Sequence, residues 1–222
     1  MDWYAAVCRA HGIAFVRSAR RWHSLSRMPP FYGNAVYLAS RRPLALFRRI
    51  DAAVAGRAWG PGWGVKDALA VHDLSDAGFD LLFEARWLFR APSRHAVADP
   101  RFDVRAQQSD PARRRWISAW GETPPGEVVF PDGFGDDPAI CLLAAYQGDR
   151  CVGGIACNRS SNCVGISNTF GSEDAISACV LHAAAHTTLP LVGYEQGTSL
   201  DLFRELGFST TGPLAVWTRQ AA

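Results

Sequence analysis

Tyr194 and Glu195 stand side by side at the end of a short apolar run, Leu189-Pro190-Leu191-Val192-Gly193, and offer a phenol and a carboxylate for proton transfer. A carboxylate at a strand end is open to partial burial, which raises its pKa and suits it to act as a base. His182 and His186 are four residues apart, a spacing that puts both rings on one face of a helix. With Cys157 and Cys163 they sketch a Cys2His2 zinc site, but that cysteine gap is wider than the roughly two to four residues usual in structural sites. Two histidines near the negative end of a helix dipole are the plainer account, and no metal is expected. The chain has no Gly-x-Ser-x-Gly elbow, no Gly-Lys-Ser/Thr phosphate loop and no Gly-x-Gly-x-x-Gly after a strand. Hydrolase, NTPase and dehydrogenase chemistry therefore lack their usual supports.

These residues need a scaffold, and the chain is long enough to build one. Its 222 residues are 48% apolar and 11% aromatic, enough to bury a real core. No stretch approaches the roughly 18 consecutive apolar residues of a membrane span, and the start lacks the basic and apolar segments of a secretion signal. A cytoplasmic address and no membrane partner are expected. The six cysteines sit mostly in apolar surroundings and are expected to be free thiols, although Cys157 and Cys163 flank a polar turn and could face each other across a hairpin. Charge divides along the chain: residues 1–95 hold 14 Lys and Arg against 7 Asp and Glu, and residues 96–222 hold 9 against 14. The acidic half suits a cationic or amine substrate, the basic half could steer CoA or RNA, and two solvated faces are the plain alternative.

The apolar pattern sets out the elements. A helix is expected over residues 2–26, ended by Met28-Pro29-Pro30, since proline cannot continue a helix. A strand over 31–39, a helix over 43–56, a strand over 63–66, a short helix and a strand over 81–87 follow. Residues 91–100 have the composition of a linker. The second half reads as strand 102–107, helix 111–120, a Pro- and Gly-rich loop over 123–137, strands 140–146, 151–157 and 163–169, and a long helix over 172–186. A short strand, a helix over 198–206 and a last strand pair ending in Ala215-Val216-Trp217 close the chain. Gly64 precedes Gly78 by the same fourteen residues that separate Gly193 from Gly207, and Phe follows each later glycine. One supersecondary unit is thus expected twice.

The order strand, short helix, Leu206-Gly207-Phe208, terminal strand after Val192-Gly193-Tyr194-Glu195 resembles the C-terminal end of the GNAT acyltransferase superfamily. The resemblance covers about 120 residues well. It implies an α+β fold with a mixed central sheet flanked by helices, a GNAT domain over 100–222 and a truncated GNAT-like domain over 1–95. It implies a slot between two splayed strands for the pantetheine arm of acetyl-CoA, and an N-acyltransferase acting on an amine.

By that resemblance Ile166, Ser167, Asn168 and Thr169 would hold the thioester and pantetheine. Gly171 and the Ser172 cap would meet the pyrophosphate at a helix N-terminus, and Phe203 would line the slot. Glu195 would act as base and Tyr194 as proton donor. The chain departs from the family at Asn168-Thr169-Phe170-Gly171-Ser172-Glu173-Asp174, where the usual glycine-rich pattern is incomplete, and at Phe203, where members often carry tyrosine. Two other readings stand beside acyl transfer: a GNAT-shaped binding module that has lost catalysis, and a transferase using aminoacyl-tRNA. Under the first reading nucleic acid is not expected as a partner, and a homodimer stays open.

Overall fold

The structure is a computed structural model and describes residues 1–39, 63–93 and 99–219. One mixed sheet holds β1 (Phe15–Arg17), β2 (Arg21–Ser24), β3 (Ala35–Tyr37), β4 (Trp63–Asp67), β5 (Asp80–Arg90), β6 (Asp103–Ala106), β7 (Ile140–Gln147), β8 (Arg150–Arg159), β9 (Val164–Gly171), β10 (Leu191–Glu195) and β11 (Ser209–Arg219). Their order across the sheet is β1-β2-β3-β4-β11-β5-β10-β9-β8-β7-β6. Among the described residues four α-helices flank it: α1 (Asp2–Ala10), α2 (Asp110–Trp120), α3 (Glu173–Ala185) and α4 (Ser199–Glu205). The helix expected over 43–56 lies outside the described residues.

Strand alternation sorts the helices onto two faces. Leu142, Ala144 and Tyr146 of β7 join one buried cluster with Tyr4 and Val7 of α1 and Trp116 and Trp120 of α2. Leu143 and Ala145 face the other way, into a cluster with Cys179 and Val180 of α3 and Phe203 of α4. Ends follow familiar chemistry. The Ser109 hydroxyl caps α2, which carries proline in its first turn and stops at left-handed Gly121, and Ser172 caps α3.

The two halves enter the sheet by one scheme. β2 and β3 are antiparallel and β3 and β4 parallel, just as β8 and β9 are antiparallel and β9 and β10 parallel. Each run then meets a strand from the other half: β11 pairs with β4, and β5 pairs with β10, both antiparallel. β5 and β11 also pair with each other. The turns feeding them match as well. Gly78 and Gly207 are both left-handed, and the following Phe79 and Phe208 N–H groups donate to Leu74 and Phe203 carbonyls five residues back.

Three expectations need correcting. The first helix stops at Ala10, because left-handed Gly12 turns the chain and residues 15–24 form the β1–β2 hairpin. The apolar Ala14 and Phe15 that extended the helical stripe belong to that hairpin and its approach. The closing strand pair is one long strand, β11. Gly212-Pro213 reads as a turn, but it is accommodated at a register shift against β5, whose presence supplies the partner a hairpin would have given. The strand expected over 31–39 is confined to Ala35–Tyr37.

Candidate active site

β9 and β10 begin as a pair and then part. They are in register only at Leu191–Val164 and Val192–Gly165, and their C-terminal ends have no further pairing with each other. Gly193 sits where they separate, and a Cβ there would stand 3.1 Å from the Ile166 carbonyl oxygen. β9 also bulges. Ser167 faces Ala156 and Phe170 faces Gly154, so Asn168 and Thr169 together stand opposite one residue, Ile155. Asn168 takes a left-handed φ of 51°, a region in which asparagine is tolerated better than most residues, and its side-chain amide donates to the Ser167 hydroxyl at 2.9 Å.

A cavity of about 300 Å³ opens at this parting on the α1 face. Ile166, Ser167, Asn168, Val192 and Tyr194 line it from the second half; Trp3, Tyr4, Phe31, Tyr32, Lys66 and Trp87 line it from the first. Trp87 is fixed by donating its indole N–H to the Ala68 carbonyl at 2.8 Å, and it meets the Tyr194 ring edge-on at 5.7 Å. At the mouth Phe31 is 61% exposed and carries a φ of 70°, a strained conformation for an aromatic residue. A second cavity adjoins, sharing Tyr4, Phe31, Tyr32, Lys66 and Tyr194.

Lys66 is the floor of this space and the only lysine in the chain. It is buried, with its Nζ 4.0 Å from the centre of the Tyr194 ring and 5.1 Å from that of Tyr4. Burial acts to lower its pKa, but the neighbouring Tyr4 and Tyr194 outweigh that and hold it above its ordinary value. Burial pushes the Tyr4 and Tyr32 phenols up. Lys66 was not among the residues singled out from sequence. Its signal there was its uniqueness, a single lysine between Val65 and Asp67 in an apolar strand.

Solved structures share this architecture. The GCN5-related N-acetyltransferase from Kribbella flavida superposes with a TM-score of 0.71 over 99% of this chain and 93% of that one, at 12% identity. The chain has the GNAT fold. A functionally unknown conserved protein from Staphylococcus epidermidis gives a TM-score of 0.66 at 10% identity over 93% of each chain. A GCN5-related N-acetyltransferase-like protein from Streptococcus suis gives 0.55 at 14% identity, over 98% of this chain and 93% of that one. No protein-family model and no curated protein sequence matches the chain, so the likeness is one of fold.

Within the GNAT fold the sequence-derived residues fall into three places. Tyr194, Ile166, Ser167 and Asn168 meet at the cavity. Glu195 alternates to the opposite face, the side on which Leu191 packs against α3 and α4. Burial raises its pKa to about 7, against a hydrogen bond from the Gln196 backbone that works to lower it. Gly171 and Ser172 lie farther along, where β9 runs into α3, and line a separate hollow with Arg150. Thr169 continues the bulge between these groups. Phe203 is buried in the α3–α4 core, edge-on to Phe208 at 5.1 Å.

Other candidates recede. The His182 and His186 rings stack at 4.1 Å, and the His182 carbonyl lies 2.8 Å from His186 Nδ1. Among the described residues no group of three or more His, Cys, Asp or Glu is arranged to hold a metal ion. All six cysteines are free; Cys157 faces Cys141 across β7–β8, and Cys163 instead meets the Ser160 hydroxyl. Burial pushes up the thiols of Cys8, to about 11, and Cys179, to about 12, and raises Cys141, Cys151 and Cys157 too, which suits packing and not nucleophilic attack. Among the described residues no helix is long and apolar enough to cross a membrane.

Proposed function

We propose that the protein is an N-acyltransferase that moves an acetyl or related acyl group from acyl-CoA to an amine, with residues 100–222 as the GNAT unit and 1–95 as its truncated counterpart. The observation that carries this reading is the parting of β9 and β10 at the Asn168 bulge, with a cavity on the side from which an acceptor would approach. The backbone of Ile166, Ser167, Asn168 and Thr169 is left without a β10 partner, and a pantetheine arm carries amides able to pair with such a strand. Gly171 and Ser172 would face the pyrophosphate, with Phe203 backing the slot from α4.

The α3 N-terminus is acidic at Glu173 and Asp174, which opposes a phosphate. Arg101 is shared between Asp99 at 2.7 Å and Asp174 at 3.1 Å, and Arg150 lines the hollow beside Gly171 and Ser172. Arg150 would stand in for the glycine-rich pattern that the loop lacks.

In the reaction the amine nitrogen attacks the thioester carbon, forming the C–N bond, and the C–S bond breaks. Glu195, on the face opposite the cavity, takes the amine proton through water in the gap between β9 and β10, and Tyr194 supplies one to the departing thiolate. Calorimetry with acetyl-CoA and CoA tests the reading together with an acetylation assay over a panel of amines. Binding in the micromolar range and turnover abolished by Glu195→Gln are expected; no binding at millimolar ligand would remove the proposal. Should CoA bind without turnover, the chain is a GNAT-fold binding module, a reading that Phe203 favours because it cannot donate a proton.

A further inference from the structure

Lys66 presents a buried positive charge that the described residues do not neutralise. None of the ion pairs among them includes it. The adjacent Asp67 is buried but spends its carboxylate on three backbone N–H groups, those of Leu69, Val71 and His72 at 2.9–3.1 Å. The carboxylates at the cavity margins are also taken: Asp2 accepts from Arg17 at 2.5 Å and Glu127 from Arg27 at 2.6 Å. The ammonium lies over the Tyr4 and Tyr194 rings, 5.1 and 4.0 Å from their centres. Phenol rings solvate a cation without cancelling its charge. A buried charge is costly without a counter-charge.

We infer that Lys66 receives a carboxylate of the acyl acceptor, so that the cavity selects small acids with an aromatic or apolar body over uncharged amines of the same shape. The walls agree with that body: Trp3, Tyr4, Tyr32, Trp87 and Tyr194 line the cavity, and the ammonium lies over the Tyr4 and Tyr194 rings. A cavity of about 300 Å³ holds a molecule of amino-acid size. The inference rests on the acyltransfer reading for the word acceptor alone; the recognition of an acid is a property of the cavity and can be tested without CoA.

The single lysine makes the test direct. The full chain, grown with lysine labelled with 15N at its side chain, carries one labelled lysine ammonium, that of Lys66. Its NMR signal is to be followed during titration with phenylacetate and, separately, with the uncharged phenylacetamide, with calorimetry alongside. The acid is expected to shift the signal and to bind about tenfold or more tighter than the amide. In Lys66→Met, a volume-conserving change, acid and amide should bind alike. Because that variant removes an uncompensated charge, its melting temperature should stay at or above the parent's. Equal affinity for acid and amide in the parent, an unmoved signal at saturating acid, or discrimination retained in Lys66→Met would each overturn the inference. A second assay separates this from the acyltransfer reading. Acid recognition without acetyl transfer to L-phenylalanine would sink only the latter, and equal transfer to phenethylamine and L-phenylalanine only the former.

Discussion

The Lys66 ammonium lies 4.0 Å from the centre of the Tyr194 ring, and the two residues come from β4 and β10, strands that hold matching places in the two halves of the sheet. A cation against that ring joins the two halves at the base of the cavity. Tyr194→Phe keeps the ring face and removes the hydroxyl. Its effect on folding should be small, about 1 kcal/mol. If the hydroxyl serves the departing thiolate, kcat should fall on the order of 10²-fold with KM for acetyl-CoA nearly unchanged. Steady-state kinetics on the two proteins decide this.

Glu195 sets a pH dependence whose sign follows from burial. Below about pH 4.5 its carboxyl is protonated in folded and unfolded chains alike. Between there and about 7 the folded chain keeps a proton the unfolded chain has lost, so stability falls as pH rises and levels off beyond. The loss should be about 1–3 kcal/mol, allowing for partial solvent screening. Urea unfolding between pH 4.5 and 8 should show that slope in the parent and a flatter profile in Glu195→Gln. Acyl transfer should rise over the same range with an apparent pKa near 7.

The bulge depends on a conformation that asparagine allows. Asn168→Val places a β-branched residue at a φ of 51°, costing about 1–2 kcal/mol in place and favouring a regular strand that closes on β10. Acetyl-CoA affinity should drop at least tenfold by calorimetry, whereas Asn168→Gly should retain it.

Gly171 joins β9 to α3 with no room for a side chain. A Cβ would stand 2.2 Å from the Val152 carbonyl oxygen and 2.4 Å from Gly153 Cα, at a φ of 97°. Backbone cannot yield as a flexible side chain can. Gly171→Ala should lower stability by about 3 kcal/mol or more in denaturant unfolding.

Much of this architecture could be read from local signals. Ser109, Pro111 and Gly121 bracket α2 by their own chemistry, and the alternation through Ile140–Gln147 assigns β7 its two faces. Leu206-Gly207-Phe208 marks the last turn, and the paired glycine spacings mark the two left-handed turns at Gly78 and Gly207. What stayed hidden depends on distant residues. Nothing near Gly212-Pro213 says that β5, more than a hundred residues earlier, takes the place of a hairpin partner. Glu195 looks like a neighbour of Tyr194 in sequence, yet alternation sends the two to opposite faces. Lys66 becomes meaningful only when the sheet brings β4 against α1 and opposite β10, since its surroundings are two tyrosines at positions 4 and 194.

The interleaving of β5 and β11 also bears on how the chain is made. As the ribosome releases it, β5 is followed by about 120 residues before its last neighbour appears, on the order of ten seconds at bacterial or eukaryotic elongation rates. During that interval β4 lacks its β11 neighbour and β5 lacks both of its neighbours, β10 and β11, leaving edges that invite association with other nascent chains. Yield in cells should therefore depend on chaperone supply more than the stability of the finished protein would suggest.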